Sequence, residues 1–175
     1  GRLNRRHAPD LYLGVSTIGG SVSAPRMDGG EPALEYAVRM RQFAAQDELV
    51  ALLDSGAVTA RDLEALGASV AHLHRGAAPA APGTTYGSPE VVQRVTFDNF
   101  AELRRLPESA AWRDALQSLE ERLSSLHAAR SALLRERREE GWVRECHGDL
   151  HCGNVVRWQE RLTPFDGIEF DPGLR

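Results

Sequence analysis

The chain has 175 residues, 42% of them hydrophobic, a formal charge of −4 at neutral pH and two cysteines. That length suits one domain with a real core rather than two, and the acidic balance gives no broad basic field for DNA or RNA. No run of about 18 apolar residues offers a membrane span and no leader sequence is visible, so no membrane partner is expected and the cytoplasm is the expected location.

In chain order, Leu11 to Val15 is a short apolar run after Pro9-Asp10, and Tyr36 to Phe43 alternates in part through Val38, Met40 and Gln42. Both read as strands. Gly19-Gly20 and Asp28-Gly29-Gly30 between them suit a hairpin with a long exposed tip. Asp47 is placed to cap a helix running to Asp54 and closed by Gly56. The next helix starts at Thr59, where Thr59 and Asp62 have the spacing of a weak capping box. Leu63, Leu66, Val70 and Leu73 then recur at helical spacing and define one buried face. His72 and His74, two residues apart, point to different sides of that helix and do not form a chelating pair.

Gly76 to Gly87 is rich in Ala, Pro, Gly and Thr and reads as a loop. Ser88-Pro89 is a helix start, followed by Val91, Val92, Val95, Phe100, Leu103 and Leu106, with Pro107 closing the segment. Ser109 opens a longer helix carrying Trp112, Leu116, Leu119, Leu123, Leu126 and Leu133 on one stripe. That stripe is expected to be core, although its three-and-four spacing also fits a coiled-coil seam. The mixed charges from Arg130 to Glu140 read as a solvated face. Cys146 and Cys152 fit no common zinc spacing and are expected to be reduced and structural.

The segment His147-Gly148-Asp149-Leu150-His151-Cys152-Gly153-Asn154 fits the H-x-D-L-x-x-x-N loop of phosphoryl-transfer enzymes. Moving a γ-phosphoryl group asks the protein mainly to hold a hydroxyl in line and to neutralise spread negative charge. A carboxylate at Asp149 would accept the hydroxyl proton, and an amide oxygen at Asn154 would bind Mg²⁺. That ion prefers hard oxygen ligands and needs a carboxylate as well. Val155 to Trp158, the polar Gln159-Glu160-Arg161 and Leu162 to Phe165 read as a short hairpin. Its turn would bring Asp166 back beside Asn154, twelve positions earlier.

With its second histidine and glycine, H-G-D-L-H-x-G-N resembles the aminoglycoside phosphotransferase family, the small-molecule branch of the protein-kinase-like fold. The strings Leu3-Asn4-Arg5-Arg6, Ala8 to Val15, Glu145 to His151 and Phe165 to Phe170 resemble a bacterial subgroup in which this domain is often followed by a P-loop ATPase domain. The resemblance covers nearly the whole chain. It implies an α+β protein-kinase-like fold: residues 1–45 as the end of an N-terminal lobe, with two strands and the hinge, and residues 46–175 as a partial, mostly helical C-terminal lobe. It makes Asp149 the catalytic base, His147 a brace for the loop, and Asn154 and Asp166 the magnesium ligands. Met40, Gln42 and Phe43 would lie at the hinge that bonds the adenine of ATP through backbone groups. The implied cofactors are ATP and Mg²⁺, and the implied partners are a nucleotide and a small molecule bearing an acceptor hydroxyl.

No glycine-rich phosphate loop and no strand lysine precede Leu11. The chain reads as an internal fragment of a small-molecule kinase, inactive by itself. Two other readings use the same residues. One is a kinase-shaped binding or regulatory module without catalysis. The other is a metal-dependent hydrolase in which His147, Asp149 and His151 converge on one side of an extended segment.

Overall fold

The structure, a computed structural model, describes residues 1–106 and 110–174. The described residues form an α+β fold in two compact units, one made of Gly1–Ala77 with Cys146–Arg175 and the other of Ala78–Glu145.

The first unit opens with α1 (Arg2–His7), a helix too short to announce itself by periodicity. Leu3, Asn4 and His7 share its buried side. Leu11 follows with no exposed surface, and then a sheet of β1 (Tyr12–Ser21), β2 (Ala24–Met27) and β3 (Glu35–Met40) in the antiparallel order β2-β1-β3. The expected two strands with a long tip are thus three. β1 continues past Val15 and turns within two residues into β2. β2 is exposed throughout and carries Pro25, tolerable on an edge strand, so no alternation marked it in the sequence. Gly19 and Gly29 serve a close backbone approach: a Cβ on Gly19 would stand 2.7 Å from the Gly29 carbonyl. β3 ends at Met40 rather than at Phe43.

The helix α2 (Leu49–Asp54) starts later than expected. Asp47 lies in a preceding 3₁₀ turn, and Glu48 takes the N-cap position without a side-chain hydrogen bond. Its end does follow the sequence signal. Gly56 has φ +68°, its N–H bonds the Leu53 carbonyl at 3.0 Å, and the Ala57 N–H bonds that of Leu52 at 2.8 Å. This is a Schellman closure that needs the left-handed residue. The capping box of α3 (Ala60–Gly76) is formed on both sides, with Thr59 Oγ1 accepting from the Asp62 N–H at 3.2 Å and Asp62 Oδ2 accepting from the Thr59 N–H at 2.8 Å. The buried face of α3 is narrower than expected, because Leu63 is exposed while Leu66 packs on a core of Leu49, Leu52, Val155 and Leu162. Val155 and Leu162 belong to a hairpin of β4 (Val155–Trp158) and β5 (Arg161–Pro164). Gln159 and Glu160 form its turn with φ of 48° and 62°, a left-handed pair that matches the twist of the two strands. Val156, with no exposed surface, joins Ala8, Leu11 and Tyr12 in a second core cluster.

In the second unit the two chain ends are paired, with the Ala80 N–H on the Val143 carbonyl at 2.8 Å and the Glu145 N–H on that of Ala78 at 2.9 Å. The helix α4 (Pro89–Leu103) starts as expected, with Ser88 Oγ accepting from the Val91 N–H and Pro89 at its first turn. The expected stop at Pro107 and start at Ser109 lie outside the described residues. α5 (Ala110–Glu139) packs against α4, where Phe100 and Leu116 are buried, Arg104 pairs with Glu120, and His127 Nε2 donates to the Pro89 carbonyl at 2.7 Å. The apolar stripe is not the core it was expected to be. Leu116 is buried, whereas Trp112, Leu119, Leu126 and Leu133 are 42–52% exposed. Among the described residues, no helix is long and apolar enough to cross a membrane.

Candidate active site

A 3₁₀ turn over Cys152–Asn154, closed by the Asn154 N–H on the His151 carbonyl at 2.9 Å, delivers Asn154 directly into β4. The Asn154 side chain is 8% exposed, and its Nδ2 donates to the backbone oxygen of Asp149 at 2.8 Å and to Asp149 Oδ2 at 3.2 Å. Both of those atoms only accept, so the NH₂ group must face Asp149, and Oδ1 is the atom left over for a cation. Across the hairpin, Val155 pairs with Pro164, and the ladder continues with the Phe165 N–H on the Asn154 carbonyl at 2.9 Å. Asp166 therefore follows the residue that faces Asn154, and the hairpin register brings these two distant positions together.

The backbone at Asp166 is left-handed, with φ 59°. An L-residue rarely adopts that conformation, at a cost on the order of 1 kcal/mol. Its surroundings hold it there. The Asp166 N–H donates to the Tyr12 hydroxyl at 2.8 Å, the Gly167 N–H to Asn4 Oδ1 at 2.7 Å, and the Ile168 N–H to the His147 carbonyl at 2.9 Å. Burial, the largest influence on the Tyr12 phenol, raises its pKa and keeps the hydroxyl protonated.

His147 is only 2% exposed and both its ring nitrogens are used by backbone. Nε2 donates to the Phe165 carbonyl at 2.8 Å, and Nδ1 accepts from the Asp149 N–H at 3.3 Å. That pattern fixes the neutral Nε2–H tautomer, and burial pushes the pKa down in the same direction. The imidazole links the loop bearing Asp149 to the segment leading into Asp166. It has no lone pair free for a metal. Neighbouring His7 stacks at a tilt, with ring centroids 5.2 Å apart, and its pKa is lowered to about 4, first by burial and then by His147. His151 accepts the Gly153 N–H on Nδ1 at 3.0 Å and presents Nε2 to Asp149 Oδ2 at 3.6 Å, with both side chains more than half exposed. Among the described residues, no group of three His, Cys, Asp or Glu side chains is arranged to hold a metal. The hydrolase reading of His147, Asp149 and His151 thus fails on geometry: one of its three ligands is committed to backbone on both nitrogens.

Met40 and Phe43 pack against the cluster of Ala8, Leu11, Tyr12 and Val156, and Phe43 meets Phe165 edge-on at 5.1 Å. Gln42 is exposed. Among the described residues, the backbone groups of Gln42 and Phe43 make no backbone hydrogen bond. Cys146 is half-buried, whereas Cys152 is exposed rather than the buried hydrophobe expected. Sequence reasoning missed Asn4 and Tyr12. Each stood within a motif string, but no spacing rule joined them to residues more than 150 positions away.

For a magnesium ion, Asn154 Oδ1 and the exposed Asp166 carboxylate are two hard oxygen donors short of a closed cage. This suits an ion that keeps several waters and shares phosphate oxygens. Compared with known protein families, residues 21–163 match the phosphotransferase enzyme family, a span that includes His147 to Asn154 and ends before Asp166. No curated protein and no solved structure matches the chain. The match covers most of the chain, which belongs to this family and has the kinase-like α+β fold that the family implies.

Proposed function

From membership in the phosphotransferase enzyme family, we propose that the chain carries the phosphoryl-transfer centre of an ATP-dependent small-molecule kinase acting on a hydroxyl. The observation that carries this reading is the Asn154 amide, turned by Asp149 so that its oxygen is free beside the hairpin position occupied by Asp166. Asp149 would take the proton of the acceptor hydroxyl. Its carboxylate is more than half exposed and so open to an acceptor, while the Asn154 amide orients it through Oδ2. Asn154 Oδ1 and the Asp166 carboxylate would hold Mg²⁺, which when bound neutralises charge on the phosphate oxygens. His147 would keep the two loops in register. Met40, Gln42 and Phe43 would approach the adenine, with the free backbone groups of Gln42 and Phe43 as its partners.

The chain contains no lysine to contact the triphosphate, so the test belongs to the full-length protein. Asp149→Ala should lower phosphoryl transfer by about 10²–10⁴-fold, the usual contribution of a positioned base, and leave Mg²⁺-dependent nucleotide binding intact. Asp166→Asn should weaken that binding, and EDTA should abolish it in the wild type. Full turnover in Asp149→Ala would sink the assignment, and a wild type that binds no nucleotide would favour a kinase-shaped interaction module instead.

A further inference from the structure

We propose that Asn4, on α1 and outside the catalytic loop, is the positioning residue that aims the Asp166 carboxylate. The proposal rests on the phosphotransferase reading above. Four successive backbone N–H groups around Asp166 each donate to a different fixed partner: Phe165 to the Asn154 carbonyl, Asp166 to the Tyr12 hydroxyl, Gly167 to Asn4 Oδ1 and Ile168 to the His147 carbonyl. The Asp166 N–H belongs to the peptide plane before Cα, and the Gly167 N–H to the plane after it. Tyr12 and Asn4 therefore hold the two planes that flank the Asp166 Cα and together set the direction of its Cβ.

Asn4 does more than close one bond. Its Nδ2 also donates to the Gly167 carbonyl at 3.1 Å, so one buried side chain meets both the N–H and the C=O of a single residue. The side chain is 6% exposed, its own N–H is held by Glu169 Oε1 at 2.8 Å, and α1 fixes its Cα. It is a rigid two-point clamp of the kind that a short polar amide, and no apolar residue of its size, supplies. Gly167 is shaped to receive it, since a Cβ there would stand 3.3 Å from the His147 carbonyl and 3.4 Å from Asn4 Oδ1. The clamp matters because the Asp166 backbone is left-handed, with φ 59°. Without the constraint on the following peptide plane, Asp166 would relax toward the ordinary extended or helical region and swing its carboxylate away from Asn154.

The test uses the full-length protein, wild type beside Asn4→Ala and Asn4→Asp. Amide hydrogen exchange at Gly167 is followed without metal, with Val156 as an internal control. Mn²⁺ affinity in the presence of ADP is then measured by electron paramagnetic resonance. Asn4→Ala should lose Gly167 protection while Val156 keeps its own, and its Mn²⁺ affinity should fall about 10-fold or more, the usual effect of losing an outer partner of a metal ligand. Asn4→Asp keeps an acceptor for the Gly167 N–H and should retain most of the exchange protection, which separates the clamp from a general loss of folding. ADP affinity in EDTA should stay within about twofold of wild type, where a merely structural role would lower it together with metal affinity. Unchanged Gly167 exchange, or equal Mn²⁺ affinity in wild type and Asn4→Ala, would overturn the positioning role by itself. A wild type that binds no Mn²⁺ with ADP would overturn the phosphotransferase reading and the proposal with it.

Discussion

His7 makes the stability of this protein depend on pH in a way that one substitution should remove. Its ring is 8% exposed, and neither nitrogen has a hydrogen-bond partner. Burial, then His147, Arg6 and His74, lower its pKa from 6.5 to about 4. With the folded-state pKa below that of the unfolded chain, the unfolded state binds more protons between these values. The stabilising contribution is therefore complete above 6.5 and is lost as pH falls toward 4. Linkage gives a loss of roughly 2 kcal/mol between about pH 7 and pH 5, and about 3 kcal/mol over the whole range. In His7→Leu that part of the pH dependence should vanish, leaving a smaller slope from His147, whose pKa is also lowered. The variant should also gain about 1–3 kcal/mol at neutral pH, because a buried ring with two unsatisfied nitrogens gives way to an apolar side chain of similar size. Urea unfolding at a series of pH values, read by tryptophan fluorescence, measures both effects. If His7→Leu lost as much stability as wild type between pH 7 and pH 5, the buried neutral histidine would not be the source and the reasoning would fail.

Two further substitutions test the packing around the site. Tyr12→Phe removes the hydroxyl that receives the Asp166 N–H at 2.8 Å. It should cost about 1 kcal/mol for the partly buried donor left unpaired and weaken Mn²⁺ binding with ADP, a result that calorimetry and metal titration would refute if both stayed at wild-type values. Leu11→Ala opens a cavity at a position with no exposed surface, in the cluster with Ala8, Tyr12 and Val156. It should lower unfolding free energy by about 2–5 kcal/mol in denaturant titrations; a loss under about 1 kcal/mol would mean that this cluster is not a true core.

Contiguous residues were enough to point to the phosphotransferase family and to read several helix ends. His147 to Asn154 lie within one turn and loop, so their spacing alone marked Asp149 and Asn154 as candidates, while the hydrogen bonds between them emerged only in the structure. Thr59 with Asp62, Ser88 with Pro89 and the left-handed Gly56 are likewise local, because caps and turns satisfy backbone groups three to five residues away. The hairpin before Asp166 was legible for the same reason, although Arg161, read as part of the turn, opens β5 and pairs with Trp158, leaving a two-residue turn that fixes the register. Local pattern misled where the environment decided. Asp47 had the chemistry of a cap, but the chain made a 3₁₀ turn there first, and Trp112, Leu119, Leu126 and Leu133 had the period of a core stripe while α4 buries Leu116 on one side of α5. β2 had no apolar alternation, because an edge strand exposed along its length needs none. The grip of Asn4 and Tyr12 on Gly167 and Asp166 joins residues 163 and 154 positions apart. No periodicity or cap rule spans such a distance. The sequence by itself determined which groups are candidates for the chemistry, and only the tertiary structure decided which groups hold them in place, because that hold rests on hydrogen bonds that exist after the chain has folded α1 back against the loops.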